Sequence, residues 1–282
     1  MTAVIVGADG QLGRALRRRF PDAVALDRAA LDVSDRAAVR AFDFSGVDVV
    51  LNAAAWTSVD AAEDPRNLAA VRAVNTEAVG HLADAARRHG CTLVHVSTEY
   101  VFDGRHDGPI PEDLPPAPLS VYGRSKADGD RLAAAVERHY LVRPTWVVGE
   151  GGNFVATMRG LADRGVQPAV VADQIGRPTF AVDLAAGIAH LLSSGAPFGT
   201  YNLTNDGPPV SWAGLAAAVF EARDRSAGDV RPVSTAEYFA DKPHAAPRPP
   251  NSLLDLAKIT ATGFRPRDWR VALAEYLATA PE

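Results

Sequence analysis

The stretch Ala3-Val4-Ile5-Val6-Gly7-Ala8-Asp9-Gly10-Gln11-Leu12-Gly13 decides the fold. Residues 3–6 read as a short apolar strand closed by Gly7. Around Gly13 the apolar residues Leu12, Ala15, Leu16 and Phe20 then recur on one helical face. Glycine is required where the backbone turns tightly, comes close to a pyrophosphate, and lets a helix pack against its strand. The helix would then offer free N–H groups and the positive end of its dipole to phosphate. Glycines alone carry little information, but strand, glycine loop and amphipathic helix in this order form a dinucleotide-binding signature. Gly7, Asp9, Gly10, Gln11, Leu12 and Gly13 are therefore the first candidate cofactor contacts.

Outward from this loop, strand and helix patterns alternate. Residues 23–26 read as a strand, and 47–54 as another that is apolar at nearly every position, as in a parallel strand covered on both faces. Residues 67–89 read as a long helix ended by Gly90, 92–97 as a strand, 122–139 as a helix, and 140–143 as a strand stopped by Pro144. The rhythm predicts an α/β fold, a Rossmann-type doubly wound parallel sheet whose ligands sit at the carboxyl ends of the strands. Residues 7–10, 27–28, 53–55, 97–99 and 144–146 should thus line one crevice. Beyond residue 150 proline and glycine interrupt the rhythm, until a helix over 182–193 rejoins it. The expected division is a cofactor-binding domain of 1–150 plus about 181–198, and a smaller substrate-binding lobe of 151–180 and 199–282.

The 282 residues carry 29 Lys and Arg against 34 Asp and Glu, a formal charge of −5, which is opposite to the basic face of a nucleic-acid binder. One cysteine, Cys91, excludes an intramolecular disulfide and a Cys-rich metal site. The histidines lack metal spacing, so no protein-built metal site is expected; His95, inside a strand run, reads as packed or cofactor-flanking. The strand pattern begins at the N-terminus without a basic segment or cleavage site, and no apolar run approaches a membrane span. A cytoplasmic protein without membrane or nucleic-acid partners is expected.

The chemistry concentrates near Tyr122-Gly123-Arg124-Ser125-Lys126. Tyr122 and Lys126 share a helix face one turn apart. A phenol titrates near ~10, and a neighbouring ammonium would lower that value. Thr98, at the end of the preceding strand, can hydrogen-bond the same substrate oxygen. Asp27 ends the second strand, where an acid takes the ribose 2′-hydroxyl of NAD, whereas Arg28 beside it suits the 2′-phosphate of NADP. The two leave the cofactor preference open. Asp32 and Val33 are placed to border the adenine.

The loop spacing G-x-x-G-x-x-G and the Thr98, Tyr122 and Lys126 set resemble the extended short-chain dehydrogenase/reductases. Asn52-Ala53-Ala54-Ala55-Trp56-Thr57-Ser58-Val59-Asp60, Ser97-Thr98-Glu99-Tyr100-Val101-Phe102-Asp103-Gly104, Asp173-Gln174-Ile175-Gly176-Arg177-Pro178-Thr179 and Arg248-Pro249-Pro250-Asn251-Ser252 narrow the resemblance to the dTDP-4-dehydrorhamnose reductase family. So does Gly152-Asn153-Phe154-Val155. The family pattern has Asp at the position of Glu99 and Tyr at that of Val148.

The resemblance implies NADPH- or NADH-dependent reduction of the 4-keto group of a dTDP-4-keto-6-deoxyhexose. Magnesium accompanies some family members, and many are homodimers. It implies Tyr122 as proton donor, Lys126 on the nicotinamide ribose, and Thr98 polarising the ketone. Ala53, Ala54, Ala55, Thr57 and Asn75 would border or support the cofactor. Glu99, Tyr100, Trp146, Asn153, Gln174, Thr179 and Arg248 would meet the dTDP-sugar. Arg177 or Arg248 could pair with its diphosphate, and Trp146 could give a ring a flat surface or simply pack in the core. Two alternatives stand beside this: a 4-ketoreductase for another deoxysugar, and a non-catalytic NADP-binding regulatory subunit. A 4,6-dehydratase is disfavoured, because Glu99-Tyr100 stands where an Asp-Glu pair is needed.

Overall fold

All four residues of β1 (Ala3–Val6) are buried, because helices cover both faces of the sheet it centres. In the computed structural model, which describes residues 1–279, β1 lies between β2 (Val24–Leu26) and β3 (Val49–Asn52). β4 (Thr92–Val96), β5 (His139–Arg143) and Gly199–Asn202 extend the sheet beyond β3, and every pairing is parallel. The strand order therefore reverses at β1. Crossovers on either side of β1 go to opposite faces and leave a crevice at the carboxyl ends of β1 and β3. Residues 7–13 and 53–55 meet there.

Alternation along β1 sorts its side chains between two cores. Ala3 and Ile5 pack with α1 (Gln11–Arg19) and the helix Ala181–Ser194. Val4 and Val6 pack with the opposite layer, where Val39 of α2 (Arg36–Ala41) joins Leu82 and Ala86 of the long helix. Asp35 caps α2 by accepting from the backbone N–H groups of Ala37 and Ala38.

The long helix expected over 67–89 is interrupted. α3 (Leu68–Arg72) passes into a wide π turn (Ala73–Glu77) before α4 (Ala78–His89) resumes. Asn75 sits within the π turn, completely buried. The helix that carries Gly129 packs so closely here that a Cβ on that glycine would lie 2.2 Å from the Asn75 carbonyl oxygen. The helix expected over 122–139 is shorter, α5 (Val121–Ala134), with Ser120 capping it, and β5 begins at His139.

The elements after β5 are β6 (Val147–Val148), α6 (Phe154–Asp163), β7 (Ala169–Val171), β8 (Ile175–Gly176), β9 (Thr179–Phe180), α7 (Ala181–Ser194), β10 (Gly199–Asn202), β11 (Val210–Ser211), α8 (Trp212–Glu221), β12 (Arg231–Val233), α9 (Thr235–Phe239), α10 (Ala257–Ala261) and α11 (Trp269–Thr279). Of these, α7 and β10 join the central sheet and its cover, so residues 199–202, expected in the lobe, lie in the large sheet beside β5. α10 also contributes to that core through Ile259. α6, α8 and α11 pack together around Val155, Leu215, Val219 and Trp269 as a separate core. No helix among the described residues is long and apolar enough to cross a membrane.

Candidate active site

The glycine loop is built to bring backbone, not side chains, to the crevice. Gly7 has φ +72°, and a Cβ there would lie 2.6 Å from the Ala54 backbone nitrogen. A Cβ on Gly13 would lie 2.2 Å from the Gly7 carbonyl oxygen, so only glycine lets α1 approach β1 this closely. α1 has Gly10 at its N-cap, no side-chain cap and no acid in its first turn. Its leading N–H groups remain available to an anion.

In front of this loop lies a cleft of about 420 Å³, lined by Gly7, Asp9, Gly10, Asp27, Arg28, Asp32, Val33 and residues 53–56. Seven loop and strand-end candidates thus converge with the alanines of the β3 end. Asp27 Oδ1 accepts from the Ala30 backbone N–H at 2.7 Å, and Arg28 lies 3.4 Å from Asp32 along an exposed edge. The donor set fits a dinucleotide: uncapped helix N–H groups for the diphosphate, and an acid and a guanidinium at the ribose end. Leu12 is turned into the core, and the Gln11 amide accepts from Gly149 N–H. Thr57 is exposed and outside the cleft lining.

Thr98, Glu99, Tyr122 and Lys126 gather at the β4 end and the start of α5, all buried. Asn75 holds this frame by accepting from Trp56 N–H at 2.8 Å while its amide donates to the Ser125 hydroxyl at 3.0 Å. Ser125 in turn donates to the Tyr122 carbonyl. Thr98 Oγ1 accepts from Tyr100 N–H at 3.2 Å. The Thr98 hydroxyl donates to Glu99 Oε2 at 2.7 Å. The Tyr100 ring sits edge-on to Tyr122 at 5.5 Å.

Burial dominates the electrostatics. It pushes Glu99 from 4.5 up to about 7, against the hydrogen bond from Thr98. It raises Tyr122 above the ordinary tyrosine range, with the Glu99 charge adding to the effect. It lowers Lys126 to about 8, opposed by Asp130. The expectation that Lys126 would pull Tyr122 down is not met in this arrangement. The Lys126 ammonium donates to the Val96 carbonyl at 2.8 Å, and Glu99 rather than Lys126 is the charge that bears most on Tyr122.

Behind Lys126 is a polar cluster that contains His95, read from the sequence as packed or cofactor-flanking, together with Asp130 and Arg143, which that reading passed over. Asp130 lies 3.4 Å from Arg143, whose guanidinium also donates to the Glu112 carbonyl. Burial raises Asp130, while Arg143 opposes that shift. His95 is fully buried, and burial holds it well below 6.5 and therefore neutral. Asn52 donates to His95 Nδ1 at 3.0 Å and accepts from Ala54 N–H at 3.1 Å, linking the cluster to the cofactor cleft. A signal existed: His95 and Arg143 interrupt otherwise apolar parallel strands, where an isolated polar side chain would be costly.

The substrate candidates divide. Tyr100 and Arg248 face each other, and Arg248 also bridges to Asp60 at 2.8 Å and lies over the Phe239 ring at 4.7 Å. Beyond this pair, a cleft of about 770 Å³ separates residues 60–66 from 239–245. Trp146 takes φ +41° and stacks on Trp212 at 3.9 Å, with Phe154 edge-on to Trp212. The left-handed backbone costs about 1–2 kcal/mol, which packing on both sides must offset.

Other candidates are committed elsewhere. Asn153 caps α6 through Ala156 N–H and donates to the Gly149 carbonyl, so its amide serves the fold. The buried Thr179 hydroxyl accepts from Thr145 N–H. Gln174 donates to Thr235. Arg177 is buried against Asp206 and the Leu254 carbonyl, which leaves Arg248 as the better placed of the two arginines. Among the described residues no group of three or more His, Cys, Asp or Glu is positioned to hold a metal ion.

The model of the RmlD substrate binding domain family matches residues 1–281. The dTDP-4-dehydrorhamnose reductase of Aggregatibacter actinomycetemcomitans is 40% identical, with 98% of each chain covered. A probable dTDP-4,6-dihydroxy-2-methyloxan-3-one 4-ketoreductase of Streptomyces antibioticus is 41% identical, covering 98% of this chain and 94% of that one. The crystal structure of the Bacillus anthracis dTDP-4-dehydrorhamnose reductase in complex with NADP superposes with a TM-score of 0.90 at 32% identity, covering 98% of both chains.

Proposed function

This chain belongs to the RmlD substrate binding domain family, and from that premise we propose that it reduces the 4-keto group of a dTDP-4-keto-6-deoxyhexose with a reduced nicotinamide cofactor, as dTDP-4-dehydrorhamnose reductases do. One observation carries the reading. Thr98, Tyr122 and Lys126 are buried together where the β4 end meets the start of α5, joined through Tyr100 and the Val96 carbonyl, in a fold whose glycine loop opens a cleft fitted for a dinucleotide.

The cofactor, bound in that cleft, supplies the hydride. Gly7, Gly10 and Gly13 bring the backbone to its diphosphate, and Ala53, Ala54 and Ala55 form the facing wall. Arg28, on the exposed edge, favours NADPH, whereas Asp27 is already engaged with Ala30 N–H.

Tyr122 donates its proton to the C4 oxygen. Burial keeps the Tyr122 phenol protonated at neutral pH, so it enters the reaction carrying its proton. Thr98 would orient and polarise the ketone, and Lys126, which donates to the Val96 carbonyl, would hold the nicotinamide ribose with its remaining N–H groups. Tyr100 and Arg248 border the sugar nucleotide, with Arg248 a bidentate donor for the diphosphate. The sheet built around β1 would carry the cofactor, and the separate core of α6, α8 and α11 would form the second part of the chain.

The test is substrate-dependent loss of reduced-nicotinamide absorbance with dTDP-4-keto-6-deoxyhexulose, run with NADPH and with NADH, followed by product analysis. Oxidation with formation of dTDP-L-rhamnose supports the reading. The likeness to the Streptomyces antibioticus protein favours a second reading, a 4-ketoreductase for another deoxysugar, which a different product stereochemistry would reveal. Cofactor binding without turnover would instead leave a regulatory subunit.

A further inference from the structure

The short strand β6 lies on the seam between the two cores. Val147 packs against the core around β1, whereas Val148 belongs to the core of α6, α8 and α11. Trp146 precedes β6. It follows Pro144, whose carbonyl accepts from Glu99 N–H at 3.2 Å, so this end of the strand is beside the reaction centre. At the other end comes Gly149-Glu150-Gly151-Gly152, with Gly151 at φ +96°. Three glycines in four residues hold little conformation of their own. Side chains of α1 fix them instead. Gln11 Oε1 accepts from Gly149 N–H at 2.7 Å, and Gln11 Nε2 donates to the Gly152 carbonyl at 3.3 Å. Arg14 donates to the Asp9 carbonyl of the glycine loop at 2.5 Å and to the Glu150 carbonyl at 2.6 Å. A Cβ on Gly149 would lie 2.9 Å from Gln11 Cβ and 3.0 Å from Ala181 Cβ, so there is no room for a side chain at this point.

We propose that Gln11 and Arg14 are positioning residues that couple the cofactor site to the sugar-nucleotide site through this glycine joint. The proposal rests on the reductase reading, which supplies the second ligand, and deepens it. Gln11 is the first residue of α1, where the leading N–H groups meet the cofactor diphosphate. The diphosphate fixes the backbone there, and the Gln11 side chain carries the restraint to Gly149. Arg14 does the same from the Asp9 carbonyl to Glu150. β6 then carries it to Trp146. The first ligand pays the ordering entropy of the joint, and the second binds to a joint already in place. The coupling is reciprocal, so each ligand raises the affinity of the other by the same factor.

Both ends of the path are built for this. The Gly149 N–H is held by α1, while its carbonyl accepts from Asn153 Nδ2 at 2.7 Å and from the Tyr276 hydroxyl at 3.2 Å. One residue is thus gripped from the cofactor side and from the side of α6 and α11. At Trp146 the backbone stands at φ +41°, a left-handed conformation that a bulky residue leaves for the extended or right-handed region unless its neighbours hold it. Thr179 N–H on the Trp146 carbonyl and the Trp212 ring on its indole supply that hold. Trp146 is therefore the element with two arrangements, and the joint biases which one is occupied. The exposed pair of Arg18 with the Glu150 carboxylate adds little.

The experiment is calorimetric titration of dTDP into the full chain, first without cofactor and then saturated with NADP+. The wild type should bind dTDP about fivefold or more tighter when NADP+ is present. Gln11→Met, Arg14→Met and Gly149→Ala should each bring that ratio below about twofold, with the Kd for dTDP alone within about twofold of the wild type. Titrating NADP+ with and without dTDP should return the same ratios. Variants that keep the wild-type ratio overturn the coupling. So do variants that weaken dTDP equally with and without NADP+, because that is the mark of a merely structural role. The wild-type measurement stands without a variant: dTDP binding that NADP+ leaves unchanged or weakens overturns the coupling alone. A wild type that binds dTDP in neither state overturns the reductase reading and the coupling with it.

Discussion

Replacing Glu99 by Gln should stabilise the protein in alkali and leave it nearly unchanged in acid. Burial raises this carboxyl from 4.5 to about 7 in the folded chain, and unfolding returns it to water and its ordinary value. Between those values the folded protein holds a proton that the unfolded chain releases, so stability falls as pH rises through the interval. At about 1.4 kcal/mol per unit, the full cost above neutrality is about 3 kcal/mol. Gln keeps the shape of the side chain and its contact with Thr98 but cannot ionise. The variant should therefore exceed the wild type by about 3 kcal/mol at about pH 8.5, a rise of about 5 °C in Tm for a chain this long, and by under about 0.5 kcal/mol at about pH 4.5. Urea unfolding followed by tryptophan fluorescence at the two pH values measures both differences. A difference that is independent of pH, or that grows toward acid, would refute the claim that the fold buries Glu99 in its neutral form.

Further perturbations read other parts of the site. Gly13→Ala, whose Cβ would strike the Gly7 carbonyl, should cost about 1–3 kcal/mol of stability and weaken NADPH binding by about tenfold or more in a fluorescence titration. Arg28→Ala should weaken NADPH by about 1.5–3 kcal/mol and leave NADH affinity unchanged, which parallel titrations of the two cofactors decide. Asp130→Ala strands the buried Arg143 guanidinium and should cost about 3–5 kcal/mol, measured by urea unfolding at neutral pH.

The parts of the molecule that depend on local pattern were legible in the chain. An apolar run before glycines can pack in few ways, and the order in which such runs recur determines where strand ends gather. Gly7, Gly10, Asp27 and residues 53–55 therefore converge as expected. Partner choice was less legible. Asn153, Thr179 and Gln174 are polar residues in family-like blocks, yet their hydrogen bonds go to a helix end, to Thr145 and to Thr235, and only the folded chain shows those partners. The π turn at Ala73–Glu77 keeps the apolar spacing of an ordinary helix, so nothing in the pattern reveals it. The burial of Glu99 and the orientation of Lys126 depend on how α5 meets β4, a packing relation that spacing along the chain does not encode. Asp130 is similar: it belongs to the helix that carries Tyr122 and Lys126, but its partner Arg143 lies on β5.

Tyr122 as the proton donor is the centre of the account, and Tyr122→Phe tests it most directly. The variant keeps the ring edge against Tyr100 and removes only the hydroxyl. With the keto sugar and NADPH, kcat should fall by about a hundredfold or more, with the dissociation constant for NADPH little changed. Near-normal turnover in Tyr122→Phe would contradict the account.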